Sequence, residues 1–291
     1  MEKESVRNRI SRKDFLKLGS LAGLALAASG LPKTVLAGEA EKKDMGNPRW
    51  QKGDDILLRM RDDLARALTK PQEERKWAMV IDLRKCVGCF ACTIACKAEN
   101  VLPPSVVYRR VLDLESGQYP NPKRVFVPVL CNHCADAPCV TACPVKATTK
   151  RKDGIVDMIY EKCIGCRACI NACPYGARSS DFGQFYTDKT PRLQGYETRP
   201  AYEYKKDWPR VKGKSPIGNA RKCHFCIHRI ERGIPPACVA TCIGKATYFG
   251  DKEDNLSLVW ELINREKVKR LKESLGTNPR IYYIGLEEVH V

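Results

Sequence analysis

Cys163, Cys166, Cys169 and Cys173 are separated by gaps of two, two and three residues and are followed directly by Pro174. This spacing, C-x2-C-x2-C-x3-C-P, lets three thiolates of one tight loop reach three corners of a single [4Fe–4S] cube. The fourth cysteine of such a run ligates a neighbouring cluster, so we expect one helical turn to join two redox centres. The pattern therefore predicts electron-transfer chemistry rather than bond-making catalysis.

The chain contains four copies of this pattern, which we number motifs I to IV in chain order. The first and last gaps are the same in all four copies, and only the middle gap lengthens, to four residues in motif II and eleven in motif IV. Gly88 in motif I and Gly165 in motif III stand between the first two cysteines, where the backbone must approach the cluster closely. All sixteen cysteines belong to a motif: Cys86, Cys89, Cys92 and Cys96 (I); Cys131, Cys134, Cys139 and Cys143 (II); Cys163, Cys166, Cys169 and Cys173 (III); Cys223, Cys226, Cys238 and Cys242 (IV).

Only 19 residues separate motifs II and III, and they are typical of a β-hairpin with a turn at Asp153-Gly154. Motif, hairpin and motif together make a complete two-cluster unit, and we expect motifs I and IV to form a second one. Spacing alone leaves open the sequential pairing of I with II and of III with IV. Ligand crossover within the favoured pairs predicts four sets: Cys86, Cys89, Cys92 and Cys242 (set 1); Cys131, Cys134, Cys139 and Cys173 (set 2); Cys163, Cys166, Cys169 and Cys143 (set 3); Cys223, Cys226, Cys238 and Cys96 (set 4).

The 291-residue chain is strongly basic, with a formal net charge of +17. Residues 1–37 hold seven Lys or Arg and three Asp or Glu, so the remaining residues carry +13. Each cluster with its four thiolates brings about −2, so four clusters would leave the mature holoprotein near +5. The basic residues are spread along the chain rather than gathered on one helix, which argues against nucleic-acid binding.

Residues 1–37 resemble an export signal. A basic segment precedes an apolar stretch over residues 18–31, which is too short and glycine-rich for a membrane span, and residues 35–37 form a small-residue cleavage site. The run Ser11-Arg12-Lys13-Asp14-Phe15-Leu16-Lys17 is similar to the twin-arginine motif but has Lys13 in place of the second arginine. A buried N-terminal helix or an uncleaved anchor is the alternative. Folded export to the periplasmic side of the membrane suits a protein whose clusters are inserted before export.

The rest of the chain divides into a linker with an N-terminal helix (38–76), a four-cluster domain (77–250) and a C-terminal helix and tail (251–291). Apolar residues at helical spacing predict a helix over residues 54–70 that is capped by Asp54. Strands are predicted at residues 77–82, 106–108, 125–127, 246–249 and 281–284, and a helix at 257–275 that ends at Gly276. The aromatic and basic insertion at residues 179–220 is interpreted as a docking loop that also covers a cluster, in preference to a nucleic-acid surface.

Two other uses of the cysteines fit the spacing less well. Paired C-x2-C units build zinc sites, but the third and fourth cysteines of each motif are not spaced as in four-ligand zinc modules. A disulfide scaffold would make the fourfold repeat a coincidence. His133 and His224 lie inside cysteine loops and are candidates for donating to sulfur, whereas His228 and His290 belong to no motif. Basic residues beside the ligands are candidates for tuning the potentials: Lys85, Lys97, Lys162, Arg167 and Lys222.

The order of the four motifs, with the middle gap lengthened in II and lengthened further in IV, resembles the iron–sulfur electron-transfer subunits of the molybdopterin oxidoreductases. That family includes subunits of polysulfide, thiosulfate, tetrathionate and dimethyl-sulfoxide reductases. The resemblance covers residues 77–250 and includes the strings Cys86-Val87-Gly88-Cys89, Cys131-Asn132-His133-Cys134, Cys173-Pro174-Tyr175-Gly176 and Arg221-Lys222-Cys223. It implies an α+β fold of two ferredoxin-like halves related by pseudo-two-fold symmetry, with loop insertions, a C-terminal helix and four [4Fe–4S] clusters.

The same resemblance implies a subunit that relays electrons between a membrane quinol-interacting subunit and a molybdopterin catalytic subunit of an anaerobic respiratory reductase. The substrate it favours is a sulfur oxyanion or polysulfide. Two alternatives stay open: service to a multihaem cytochrome c nitrite reductase, and a free-standing soluble polyferredoxin. The sequence contains no recognisable nucleophile–base pair, phosphate loop or spare metal site, so we expect no catalysis by this chain alone.

Overall fold

The computed structural model describes residues 55–286, which are organised around a mixed four-stranded sheet. Strand β1 (Trp77–Asp82) pairs antiparallel with β10 (Thr247–Asp251) and parallel with β12 (Ile281–Ile284). At the edge of the sheet, β11 (Val268–Lys269) pairs antiparallel with β12. All six residues of β1 are buried, as expected for an inner strand covered on both faces. The strands predicted near residues 77–82, 246–249 and 281–284 are thus confirmed.

Helices α1 (Ile56–Leu68) and α8 (Leu258–Arg265) pack against β10. Helix α1 buries its apolar stripe, as the helical spacing predicts. The predicted cap at Asp54 is wrong: the Asp55 carboxylate accepts the Leu57 backbone N–H at 2.9 Å, and position 54 lies outside the described residues. The side chain of Ser257 caps α8 in the same way, by accepting the Trp260 N–H at 3.1 Å.

Short helices carry the inner cysteines of the four motifs and pack in two pairs. Helix α2 (Ala91–Glu99) of motif I packs against α7 (Ala237–Ala240) of motif IV, and α3 (Pro138–Thr141) of motif II packs against α4 (Ala168–Asn171) of motif III. The predicted hairpin between motifs II and III is confirmed as β4 (Thr148–Lys150) paired antiparallel with β5 (Val156–Met158).

One strand predicted between motifs I and II is wrong, and the other is confirmed. The antiparallel hairpin here consists of β2 (Arg110–Ser116) and β3 (Lys123–Val129), so residues 106–108 lie before it. Val106 donates its backbone N–H to the Pro103 carbonyl at 3.0 Å, in a turn rather than a ladder. Val106 and Tyr108 are nevertheless buried, so the apolar run records burial without strand pairing.

The insertion at residues 179–220 has its own secondary structure and a buried anchor. Strand β6 (Arg178–Ser180) and strand β9 (Ala220–Lys222) close its base, and α5 (Gly195–Thr198) precedes a hairpin of β7 (Ala201–Glu203) and β8 (Lys206–Trp208). Short helix α6 (Ile227–Ile230) follows in motif IV. The insertion is therefore a surface element with short helices and strands, two longer irregular stretches at residues 181–194 and 209–219, and buried side chains at Glu203 and Trp208.

The C-terminal helix is shorter than the predicted 257–275. Helix α8 ends at Arg265, because Glu266 is extended and the chain then joins the edge of the sheet as β11. A 3-10 turn over Glu273–Leu275 follows, and Gly276 ends it at φ +63°, where a glycine was expected. Among residues 55–286, no helix is long and apolar enough to cross a membrane. The predicted export signal lies outside the described residues.

Candidate iron–sulfur cluster sites

The glycines of motifs I and III are required by the loops that carry the first cysteines. Gly88 has φ +68°, and a Cβ there would come within 2.5 Å of the Phe126 ring. Gly165 has φ +70°, and a Cβ there would come within 2.6 Å of the Gly218 carbonyl oxygen. The Gly88 N–H hydrogen-bonds to the Cys86 sulfur, which is the close backbone approach predicted from the sequence.

Thiols of motif IV lie beside thiols of motif I. Burial raises the pKa of Cys96 well above its usual value, and the next largest causes are the neighbouring thiols of Cys226, Cys223 and Cys238. Those four cysteines also line one internal cavity. Burial likewise raises the pKa of Cys86, with Cys92 and Cys242 as neighbouring thiols that raise it further.

Thiols of motifs II and III are interleaved in the same manner. Burial, followed by the neighbouring Cys131 thiol, raises the pKa of Cys134 to about 12, and Cys139 and Cys173 contribute to the same increase. Burial also raises the pKa of Cys169, where Cys163 and Cys143 are the neighbouring thiols. Buried thiols in such proximity resist ionisation together, so thiolate ligation here requires cationic iron in their midst.

Backbone N–H groups point at the last cysteine of two motifs. The Ala147 N–H donates to the Cys143 sulfur at 3.2 Å, and the Ala246 N–H donates to the Cys242 sulfur at 3.2 Å. Burial works against ionisation of Cys143, yet its pKa is lowered because several N–H groups, that of Thr148 foremost, hydrogen-bond to the sulfur. N–H···S bonds of this kind stabilise the negative charge on cluster ligands.

None of the sixteen cysteines forms a disulfide, and their exposure differs between the four predicted sets. The four cysteines of set 4 are all buried. Sets 1 and 3 each contain one exposed member, Cys89 and Cys166 respectively. Residues 55–286 contain no group of His, Cys, Asp and Glu arranged around a single metal ion. A cubane takes one thiolate at each of four irons, so its ligands lie further apart than those of one ion.

Both loop histidines are buried and hydrogen-bonded through Nδ1. His133 accepts the Val156 N–H at 3.0 Å, and His224 accepts the Ile227 N–H at 3.1 Å. Burial lowers the pKa of His133 well below its usual value and that of His224 to about 4, so both rings are neutral. Neither Nε2 has a hydrogen-bond partner within the described ranges, and donation to sulfur stays a prediction. His228 bonds Glu99 at 2.7 Å, and His290 lies outside the described residues.

The five basic residues that flank cysteines in the sequence differ in their contacts. The Lys85 ammonium donates to the Tyr248 hydroxyl at 2.7 Å, and the Lys97 ammonium donates to the Tyr186 hydroxyl at 2.7 Å. Arg167 lies over the Phe182 ring. Lys222 is fully buried and donates to the Cys223 carbonyl at 2.6 Å. Lys162, the remaining candidate, lies in the 3-10 turn over Tyr160–Lys162.

Sequence reasoning missed two buried arginines: Arg178, which donates to the Cys139 sulfur, and Arg109, which lines one cavity with cysteines of motifs I and IV. Arg178 had a signal in the sequence: it is the fifth residue after the last cysteine of motif III, where motifs II and IV have Thr148 and Thr247. Arg109 had none, because it lies thirteen residues beyond Cys96 in a stretch without periodicity.

Comparison with known proteins indicates the same type of cofactor. A family model described as a 4Fe-4S dicluster domain matches residues 122–190 and 202–252. A selenate reductase subunit of Mesobacillus selenatarsenatis is 52% identical over 94% of this chain and 97% of its own length. The arsenate respiratory reductase iron-sulfur subunit of Shewanella sp. is 37% identical over 71% of this chain and 94% of its own length. A tetrathionate reductase subunit of Salmonella typhimurium is 36% identical over 74% of this chain and 75% of its own length.

These similarities extend over most of the chain, and the matched family model includes the cysteines of motifs II, III and IV. The cofactors are [4Fe–4S] clusters, which supply one-electron redox steps when bound. The resemblance inferred from the sequence is therefore confirmed. The chain belongs to the family of iron–sulfur electron-transfer subunits of anaerobic respiratory reductases, within the molybdopterin oxidoreductases.

Proposed function

We propose that the sixteen cysteines hold four clusters in two dicluster halves related by pseudo-two-fold symmetry. One half is formed by motifs I and IV and the other by motifs II and III, with the ligand sets 1 to 4 defined above. The thiols that raise the pKa of Cys96 all come from motif IV, which supports crossover ligation rather than sequential pairing. The packing of α2 on α7 and of α3 on α4 supports the same division.

Neighbouring thiols from different sets support a single row of clusters in the order 1, 4, 2, 3. Cys238 of set 4 is electrostatically close to Cys92 of set 1, and Cys223 of set 4 is close to Cys131 of set 2. The buried protein around the inner sets excludes water, while the N–H···S bonds hold the sulfurs in place. Cysteines in this order would hold the four clusters in a row, so that electrons could pass from one end of the subunit to the other.

Both ends of this row carry exposed apolar residues beside an exposed cysteine. Val87, Ile94 and Ile243 are 61%, 67% and 72% exposed in or beside motifs I and IV. Ile164 and Phe182 are 67% and 56% exposed in or beside motif III. We assign these two ends to contacts with the molybdopterin catalytic subunit and with the membrane quinol-interacting subunit, since exposed apolar residues concentrate at protein interfaces.

We further propose that the complex reduces selenate. The observation that carries this assignment is the 52% identity to a selenate reductase subunit over nearly the whole of both chains. Export through the twin-arginine route would place the protein on the periplasmic side of the membrane. Replacing Arg12 of the signal by glutamine should then trap the protein in the cytoplasm, and unchanged fractionation would contradict this route.

The proposal is tested by anaerobic purification of the tagged chain from its native host. We expect co-purification of molybdenum, a membrane subunit and about sixteen irons per chain. The preparation should reduce selenate with a quinol or a reduced viologen as donor. Purification of the chain alone with its iron would support a polyferredoxin instead, and a co-purified multihaem cytochrome would support the nitrite reductase alternative. Zinc without labile sulfide would overturn the proposal.

Ligand crossover is tested separately by electron paramagnetic resonance (EPR) of cysteine variants. The variants Cys96→Ser and Cys226→Ser should alter the same cluster signal, although their positions belong to different motifs. The variant Cys134→Ser serves as the comparison and should alter a different signal. If Cys96→Ser and Cys134→Ser alter the same signal, motif I pairs with motif II and the ligand sets are wrong.

A further inference from the structure

Arg178 lies between two predicted ligand sets of the same half. Its side chain is buried, and its Nη2 donates to the Cys139 sulfur of set 2 at 3.1 Å. The same guanidinium is electrostatically close to Cys169 of set 3. Its Nη1 is held by the Thr148 hydroxyl at 3.3 Å and by the Met158 sulfur at 3.2 Å.

Arg109 has the equivalent position in the other half. It is 1% exposed, lines one cavity with Cys238 of set 4 and is electrostatically close to Cys92 of set 1. Its Nη2 donates to the Thr247 hydroxyl at 3.0 Å. Thr247 and Thr148 are each the fifth residue after the last cysteine of their motifs, so the two halves hold an arginine with the same hydroxyl.

Neither arginine forms an ion pair with a carboxylate in the part of the chain that the structure describes. A buried charge without a counter-charge is strongly destabilising, so each guanidinium needs anions nearby. Arginine stays protonated in proteins, and the groups that approach both arginines are cysteine sulfurs, which are anionic thiolates when they hold a cluster.

We propose that Arg109 and Arg178 are inter-cluster cations, each shared by the two clusters of its half, that raise the reduction potentials of both. The inference rests on the ligand sets proposed above. Reduction adds one negative charge to a cluster, and a fixed cation beside it favours the reduced state. A cation placed between two clusters also weakens the repulsion between two reduced neighbours.

Burial distinguishes these arginines from most of the cations that flank the cysteines in sequence. Charges at the surface act through water and are screened within about 8–10 Å at physiological salt. A guanidinium surrounded by protein acts through a lower effective dielectric constant, so its effect on nearby sulfur is larger. Two charges that sequence inspection passes over are therefore better placed to set potentials than neighbours such as Lys162 and Arg167.

The experiment is a redox titration of the purified holoprotein complex, followed by EPR of the individual clusters. The variant Arg178→Gln should lower the reduction equilibrium constants of clusters 2 and 3 by at least tenfold each, which is about 59 mV for a one-electron couple. The variant Arg109→Gln should do the same to clusters 1 and 4. The exposed Arg265→Gln, which lies on α8 and pairs with Glu261, is the matched control and should shift none.

A shift confined to one cluster, a shift in all four clusters or no shift would overturn the proposal. The variants Arg109→Met and Arg178→Met provide a second set if the glutamine variants lose iron, because methionine fills part of the same space without burying an unpaired polar group. If both substitutions at one position release iron, both clusters of that half should be lost; loss of only one would also overturn it. An error in the ligand sets is recognised independently, because Cys143→Ser and Cys169→Ser, which both belong to set 3, would then alter different EPR signals.

Discussion

Replacement of Glu203 by glutamine should release the insertion at residues 179–220 from the core. Glu203 lies in β7 and is fully buried, where its carboxylate accepts the Tyr108 hydroxyl at 2.7 Å and the Arg221 Nη2 at 3.1 Å. It also accepts the hydroxyl of Tyr160. Burial alone would raise the pKa of Glu203, but Arg221 above all holds it below its usual value, so the group is ionised.

The magnitude follows from the charge balance of this buried network. Asp181 pairs with Arg221 at 2.9 Å and with Arg210 at 2.6 Å, so two carboxylates and two guanidinium groups compensate each other. Neutralising Glu203 leaves one buried positive charge in excess, and removal of one partner from a buried ion pair costs about 3–5 kcal/mol. A domain of this size loses about 2–4 °C per kcal/mol, which gives a decrease in Tm of roughly 6–20 °C.

The assay is thermal unfolding of the anaerobic holoprotein at one fixed scan rate, because loss of clusters is irreversible. Limited trypsin digestion of the same samples should show new cleavage within residues 184–214. The matched control is Glu161→Gln, which removes an exposed pair with Lys206 of the insertion at 2.7 Å and should change neither result measurably. If Glu203→Gln behaves like this control, the buried network does not anchor the insertion, and the reasoning is refuted.

Three further variants test other parts of the fold. Leu64→Ala removes a fully buried side chain of α1 and should cost about 2–5 kcal/mol, seen as a decrease in Tm of roughly 4–20 °C at the same fixed scan rate. Gly165→Ala forces a Cβ against the Gly218 carbonyl at a positive φ, so we expect a loss of about 2 kcal/mol or more and lower iron occupancy in metal analysis. Burial raises the pKa of Glu99, but its neighbours, with a hydrogen bond from His228 foremost, lower it below its usual value. The resulting stabilisation is present above the pKa of Glu99 in the unfolded chain and is lost as pH falls through its pKa in the folded protein. The variant Glu99→Gln should therefore show a smaller loss of Tm between about pH 5 and pH 3.

Each of these variants has a control in the same region or conformation. Leu58→Ala, on the exposed face of α1, should cost far less than Leu64→Ala. Gly213→Ala also has a positive φ but meets no atom within 4 Å, so iron occupancy should stay unchanged. Equal losses of iron in both glycine variants would mean that the positive φ, rather than the contact with the Gly218 carbonyl, causes the loss. If Glu99→Gln loses as much Tm between about pH 5 and pH 3 as the unmodified protein, the Glu99 carboxylate does not provide this stabilisation.

Local spacing determines much of the cluster architecture, which is why the sequence predicted it. The cysteine gaps, the glycine between the first two ligands and the hairpin between motifs II and III all depend on contacts within some twenty residues. The strand over residues 77–82 was predicted from an alternating pattern, but all six of its residues are buried, because its place inside the sheet depends on distant strands.

Features that depend on tertiary contacts were predicted poorly. The helix predicted over residues 257–275 ends at Arg265 because β11 pairs with β12. Tertiary pairing of this kind overrides local helix propensity, which is a weak preference. The apolar run over residues 106–108 is buried against Glu203 of the insertion rather than paired in a sheet. Arg109 is brought to the cysteines only when motifs I and IV come together, so its role could not be read from its neighbours in the chain.

The two buried arginines also explain where the basic excess of the sequence has its largest effect. Clusters with four thiolates are anionic, and the composition predicts compensation by the protein. Most lysines and arginines provide this compensating positive charge from the surface, where water already stabilises negative charge. Arg109 and Arg178 provide it where the protein has removed that water, between the sulfurs of two different sets. A chain of buried redox centres needs its counter-charges at the junctions between centres, because a reduced cluster there repels the electron that follows it.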